Sequence, residues 1–327
     1  MNLTKLAKLA NVSVSTVSKA LSDSTEISDI TKKRIIKIAS ENGCYEKYYK
    51  PKYAKKLIAV ICPELLGIHY GTMATYMENE IRERGGTMVM SVSNFSAAAQ
   101  SELIEYYTKF AHADGVIVIE PAGKINCNAD VPIVCIGFES TPRNVDCIKT
   151  EIDDALDDAL AFLNDMGHKK IGFAGEECAH AEYDVFCEAV ARNNITVDSR
   201  HTVISSSRFY DAGYFAADSM IKGGDMPTAV FAAYSHIAVG FLQRLKEEKI
   251  RVPDDVSLIC MDDISVVPYP DFDISSIRMH LDELSSIAVD LIYQKIKREH
   301  FKTKQTITVT REFFKGKTIG RVKKERI

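Results

Sequence analysis

Ser13, Val14, Ser15, Thr16, Ser18 and Lys19 put four small hydroxyls and one amine into a single short run, with no carboxylate before Asp23. A hydroxyl donates to a phosphate oxygen without bulk, and a lysine reaches a phosphate or the edge of a guanine. Serine is a middling helix former, so its repetition on one face wants a reason beyond solvation. Docked in a major groove, Val14, Ser15 and Lys19 would read base edges while Ser13, Thr16 and Ser18 hold phosphates. A solvated serine-rich helix is the plain alternative.

The elements that carry this run are readable on either side of it. Leu3, Leu6, Ala7, Leu9 and Ala10 recur at three- and four-residue spacing, the stripe of a short helix that Asn2 caps. Asn11 tolerates a left-handed conformation, and Ser13 or Ser15 caps a second helix with Val14 or Thr16, Val17, Ala20 and Leu21 turned inward. Two short helices joined this way form a helix-turn-helix. A third helix is expected over 28–41, capped by Ser28, packed through Ile30, Ile35, Ile36, Ile38 and Ala39, and ended by Asn42-Gly43.

The stretch LTKLAKLANVSVSTVSKAL (3–21) resembles the amino-terminal signature of the lactose/galactose-repressor family of bacterial transcription regulators. The resemblance implies a hinge after the third helix and then a two-lobed domain related to periplasmic sugar-binding proteins. It adds Asn2, Ser28 and Thr31 to the DNA-binding set, with Ser28 and Thr31 holding phosphates; for Ser28, capping and phosphate contact are compatible. HKKIGFAG and VPDDVSLICMDDI (252–264) extend the likeness downstream.

Charge is distributed to match. Residues 1–56 hold twelve Lys/Arg and five acids, or +7, so the net −4 of the 327-residue chain leaves −11 on the remainder. A basic head on an acidic body fits a nucleic-acid contact confined to one end. The eight cysteines show no C-x-x-C or metal-finger spacing, and several lie in Val/Ile runs where thiols act as small hydrophobes. Free thiols, no signal-peptide core and no run long enough to span a membrane lead us to expect a cytoplasmic protein. The linker 44–56, CYEKYYKPKYAKK, is basic and tyrosine-rich; it lacks the wedge leucine of the family hinge, and Pro51 opposes a helix. Its tyrosines and lysines either touch the DNA backbone or act as a spacer.

From Leu57 the pattern is βαβ. The fold class expected is α/β: a three-helix head (1–43) plus a two-lobed, Rossmann-like, periplasmic-binding-protein-like domain (57–327). The amino-terminal lobe would comprise 57–149 and 278–300, and the other lobe 150–277 and 301–327. Strands are expected over 57–63, 87–92, 115–119 and 132–137, then in HKKIGFAG, TVISS, AVFAA, VSLIC and TITVT. Runs of Val and Ile without polar alternation suit parallel sheets covered on both faces. Helices are expected over 72–84, 97–112, 182–193, 211–222, 237–249 and 281–298, with another from Asp153.

Asp262-Asp263 follows strand VSLIC, at the carboxyl end where open α/β sheets place ligands. The resemblance makes Asp262 an effector contact, with helix or turn capping as the alternative. Elsewhere the chain departs from the sugar-binding pattern. Glu182 stands where an arginine is usual, Tyr234-Ser235 where Asn-Asp is usual, and Glu151-Ile152 where Asp-Asn is usual. His69, Tyr70, Phe138, Arg208 and Phe209 complete the candidate lining, with Arg208 a possible anion partner. Either a charged or aromatic ligand, or a cleft without ligand, fits these departures better than a common hexose or pentose.

No catalytic residues, metal site or cofactor are expected. Gly316-Lys317-Thr318 imitates the end of a phosphate loop, but Arg311 replaces its first glycine. The expected function is a sequence-specific transcriptional regulator binding a pseudo-palindromic operator as a homodimer under a small-molecule effector, with no membrane partner. The rivals are a regulator governed by a protein partner and a solute-binding protein.

Overall fold

The computed structural model describes residues 2–22, 24, 26–48, 56–125, 131–137, 145–195, 197–262, 273–297 and 304–323. Phe138, Asp263 and most of the linker fall outside them. The chain divides into two compact units, Met1–Lys56 and Leu57–Ile327.

The first unit contains α1 (Leu3–Leu9), α2 (Val14–Leu21), α3 (Asp29–Glu41) and a short α4 (Tyr45–Tyr48). Asn11 takes φ +50° in the turn between the first two helices, the role for which asparagine is suited. Leu6, Ala7, Ala10, Val17, Ala20, Leu21, Ile35 and Ala39 form the core, and Cys44 joins them. Tyr45 and Tyr48 pack onto its edge, so the start of the expected linker is helical and part of the head. Ile30 does not belong to the stripe and is 84% exposed. Five residues from Ile35, it lies about 140° around the helix from it.

The second unit starts with β1 (Leu57–Cys62), α5 (Ile68–Glu83), β2 (Thr87–Val92), α6 (Ala97–Glu105), β3 (Gly115–Ile119), β4 (Ile133–Ile136) and β5 (Asp146–Glu151). The chain then crosses to α7 (Asp153–Asp165), β6 (Ile171–Glu176), α8 (His180–Arg192), β7 (Thr202–Ser205) and α9 (Phe209–Lys222). There follow β8 (Ala229–Ala232), α10 (Ser235–Glu247), β9 (Ser257–Cys260) and β10 (Ser275–Arg278). It crosses back for α11 (Leu281–Lys297) and β11 (Thr306–Thr310), and a third time into β12 (Glu312–Phe314). One sheet has the order β11-β5-β4-β3-β1-β2 and the other β12-β10-β9-β8-β6-β7. All pairings are parallel except β10 with β12. The inner strands β3, β4, β6, β8 and β9 are buried along their whole length, as expected of strands covered on both faces.

Strand TITVT pairs with β5, Thr306 opposite Cys147 through Thr310 opposite Glu151, and therefore belongs to the first lobe. The third crossing falls at Arg311, not at residue 301. Helix α6 ends earlier than expected, passing into one π-helical turn over Tyr106–Phe110.

Helices α9 and α10 approach closely at two glycines. A Cβ on Gly240 would lie 2.0 Å from the Tyr210 carbonyl oxygen, and one on Gly213 would lie 1.9 Å from that of Ile237. Backbone on both sides leaves nothing that yields easily. Gly240→Ala is expected to destabilise by about 1–3 kcal/mol, lowering the unfolding midpoint by roughly 2–4 °C for each kcal/mol. Gly71→Ala, whose Cβ meets nothing within 4 Å in α5, should instead raise it through helix propensity. Thermal denaturation of both variants checks the contrast, and equal midpoints would contradict it.

Candidate nucleic-acid interface and ligand cleft

Helices α1, α2 and α3 each begin on a side-chain cap. Asn2 Oδ1 accepts from Lys5 N at 2.9 Å, Ser13 Oγ from Thr16 N at 3.0 Å, and Ser28 Oγ from Thr31 N at 3.4 Å. The Ser13 and Thr16 hydroxyls lie 2.8 Å apart and those of Ser28 and Thr31 2.9 Å apart. Val17, Ala20 and Leu21 pin α2 to the core, which leaves Ser15 and Ser18 exposed and Thr16 half-buried. Val14 is 42% exposed, so it is not an inward residue. Lys19 carries an ion pair to Glu26. Both side chains are well exposed, and an exposed pair stabilises by under about 1 kcal/mol, so a phosphate or base edge can displace the carboxylate.

The second unit holds a cavity of about 280 Å³ between its lobes. It forms where strands end. Glu64 and Gly67 follow β1, Glu120 follows β3, Arg208 and Phe209 follow β7, Tyr234 follows β8, Asp262 follows β9, and Arg311 lies on the third crossing. Helix α5 starts at Ile68, earlier than expected, with Gly67 at its cap position. This sets His69 and Tyr70 in the first turn, facing the cavity.

Two contacts span the lobes, the Arg208–Glu64 ion pair and the approach of His69 to Asp262. Arg208 Nη2 donates to Glu64 Oε1 at 2.9 Å, while its Nε donates to Glu176 Oε1 at 2.5 Å. Glu176 is wholly buried, and its other oxygen accepts the Phe209 backbone N–H at 2.5 Å. His69 Nδ1 lies 3.4 Å from Asp262 Oδ1. Tyr70 donates its hydroxyl to Glu120. Three lining residues, Phe95, Glu120 and Phe209, have positive φ of 58°, 45° and 56°. Such backbone strain in bulky residues concentrates around binding sites.

The charges perturb one another. Burial alone would lower the His69 imidazole, but the Asp262 carboxylate and then Glu120 raise it overall. Desolvation, reinforced by Glu120, pushes the Glu182 carboxyl up to about 7, against the pull of Arg311. A carboxyl raised on folding stabilises the fold fully below its ordinary value, 4.5, and loses that contribution as pH rises through about 7. Glu182→Gln should therefore unfold at a higher temperature than the parent at pH 8, with a smaller difference at pH 5. A midpoint difference independent of pH between those values would contradict this.

The comparisons with known proteins place both parts of this arrangement. The model for bacterial regulatory proteins of the lacI family matches residues 2–45, and that for the periplasmic binding protein-like domain matches residues 160–319. The head is a lacI-family regulatory domain, and the second unit is a periplasmic-binding-protein-like domain. It is 26% identical over 317 residues to the HTH-type transcriptional regulator GalR of Streptococcus thermophilus, covering 90% of this chain and 92% of that protein. A LacI-family transcriptional regulator from Silicibacter pomeroyi shares the fold with a TM-score of 0.74 at 19% identity, covering 98% of this chain and all of that one. The lac repressor dimer bound to operator and the anti-inducer ONPF gives a TM-score of 0.69 at 19% identity, covering 97% and 98%.

The structure brings His69, Tyr70, Glu182, Arg208, Phe209, Tyr234 and Asp262 to one cavity. Glu151, in contrast, is exposed at the end of β5 and does not line it, and Phe138 lies outside the described residues. Sequence reasoning missed Glu64, Glu120 and Arg311. The first two sit just past the Val/Ile-rich strands β1 and β3, the same signal that singled out Asp262. Among the described residues no group of three or more His, Cys, Asp and Glu could hold a metal ion, and no helix is long and apolar enough to cross a membrane.

Proposed function

We propose that this protein is a cytoplasmic transcriptional repressor of the lacI family, a homodimer on a pseudo-palindromic operator, with its DNA affinity set by a small molecule held between the lobes. The observation that carries the reading is the serine-studded face of α2, capped by Ser13 and held on a basic three-helix head of the family's type. One such head makes few contacts, and two-fold pairing doubles them on a symmetric site. Val14, Ser15 and Lys19 read base edges; Asn2, Ser13, Thr16, Ser18, Ser28 and Thr31 position the head on phosphates.

The contacts Glu64–Arg208 and His69–Asp262 supply the means of control. A ligand entering the cavity competes for these groups, so its occupancy biases the angle between lobes and thereby the spacing of the two heads. The coupling is reciprocal, and operator DNA alters ligand affinity by the same factor. Sedimentation of the full chain with a duplex enriched from random sequence tests the assembly. Two chains per duplex on a two-fold-symmetric motif support it, and one chain per duplex contradicts it.

A further inference from the structure

We propose that the inter-lobe cavity takes a compact organic cation, its ammonium among the carboxylates of Glu120, Glu182 and Asp262 and its body against the rings of Tyr70, Phe209 and Tyr234. The inference rests on the reading of this cavity as the effector site and names the class of effector.

Charge favours a cation. Glu64, Glu120, Glu182 and Asp262 line the cavity against the guanidiniums of Arg208 and Arg311. Arg208 is already committed to Glu64 and, beneath the surface, to the buried Glu176. The remaining carboxylates share Arg311 and the imidazole of His69. An anion entering here meets like charge, and a neutral polyol leaves the excess uncompensated once the lobes exclude water. An ammonium removes it.

The balance of donors and acceptors favours a cation as well. The described lining contains no Asn, Gln or Lys side chain, and Tyr70 directs its hydroxyl hydrogen to Glu120. The hydroxyls of Tyr234 and Ser235 and the ring of His236 add donors to the lining, but set against four carboxylates they leave a cavity that complements a ligand that mostly donates. An ammonium offers three donors and accepts none. The aromatic walls point the same way, since a cation is drawn to the face of a ring. His69 and Tyr70 meet edge-on with centroids 5.3 Å apart, and Phe209 and Tyr234 lie 6.2 Å apart, which fixes the rings as a scaffold. The volume, about 280 Å³, lies just below the range of drug-sized sites and suits a single ring or short chain. The elevated Glu182 carboxyl is a further consequence of the same crowding, and an arriving cation would expel its proton.

Calorimetry on the full-length protein with matched pairs decides the matter: D-glucosamine against D-glucose, 1,4-diaminobutane against 1,4-butanediol, and tyramine against 4-hydroxyphenylethanol. The amine of at least one pair should bind tenfold or more tightly than its neutral partner, and Glu120→Gln or Asp262→Asn should lower that ratio severalfold. Unfolding midpoints establish that each variant is folded, and either variant suffices. Equal or tighter binding of the neutral members overturns the cation while leaving the cavity as an effector site. Amine binding unchanged in both variants places the amine elsewhere and also overturns it. Silence of every amine and every neutral compound overturns the cation and removes support from the effector reading itself.

Discussion

Replacing Lys19 with alanine should lower affinity for the specific operator by about tenfold or more per head, the range set by loss of a good base-edge contact. Affinity for random duplex should fall far less. The buried residues beside it on α2 are Val17 and Ala20, while Lys19 itself is half-exposed, so its truncation removes a head-group and not core packing. The paired substitution Glu26→Gln provides the opposing result. It frees Lys19 from its carboxylate partner in the DNA-free head, and because the displaced pair is exposed and weak, binding should tighten only severalfold. Fluorescence anisotropy on specific and random duplexes measures both. Equal losses on the two duplexes for Lys19→Ala would make Lys19 a phosphate contact only.

Raising salt from 50 to 200 mM should reduce operator affinity by about a thousandfold or more, on the basis of six or more neutralised phosphates per dimer. The cations are concentrated where the contact is made, since the first 56 residues carry +7 and the rest −11. The acidic remainder carries charge of the wrong sign for a duplex, which favours contact through the heads. A titration giving a shallow log–log slope would show that the basic head is not neutralising phosphate.

The head was legible because short helices advertise their ends. Asn2, Ser13 and Ser28 all cap as their types and positions indicate, and Asn11 takes the left-handed turn. The buried parallel strands were equally visible as apolar runs. Strand β5 was not, because Asp146 and Lys149 break the run. In the fold Asp146 is buried but paired, with Lys295 Nζ at 2.7 Å and the Gln305 backbone N–H at 2.7 Å, partners more than a hundred residues away. Strand β10 was hidden for a similar reason: Ser275 and Ser276 are buried, and Ser275 exchanges hydrogen bonds with Gly316 and Thr318. Strand TITVT was visible, but its alternating exposure marks only an edge strand and does not say of which sheet. That ambiguity moved the third crossing and concealed Arg311 as a lining residue.

The cavity was legible in part for the same reasons. Asp262 could be found from its place after an apolar strand, whereas the Lys19–Glu26 pair and the Glu64–Arg208 bridge depend on loops whose course the local pattern does not determine. Glu151 was inferred from the pattern of relatives rather than from its surroundings, and it is exposed and not part of the cavity lining.

Selection of genomic fragments on the purified full-length protein, followed by sequencing, tests the central claim most directly. The account predicts a recurring duplex with two related half-sites, lost when Ser15 and Lys19 are both replaced by alanine. Recovery of fragments with no shared sequence, with and without the amines of the panel, would contradict it.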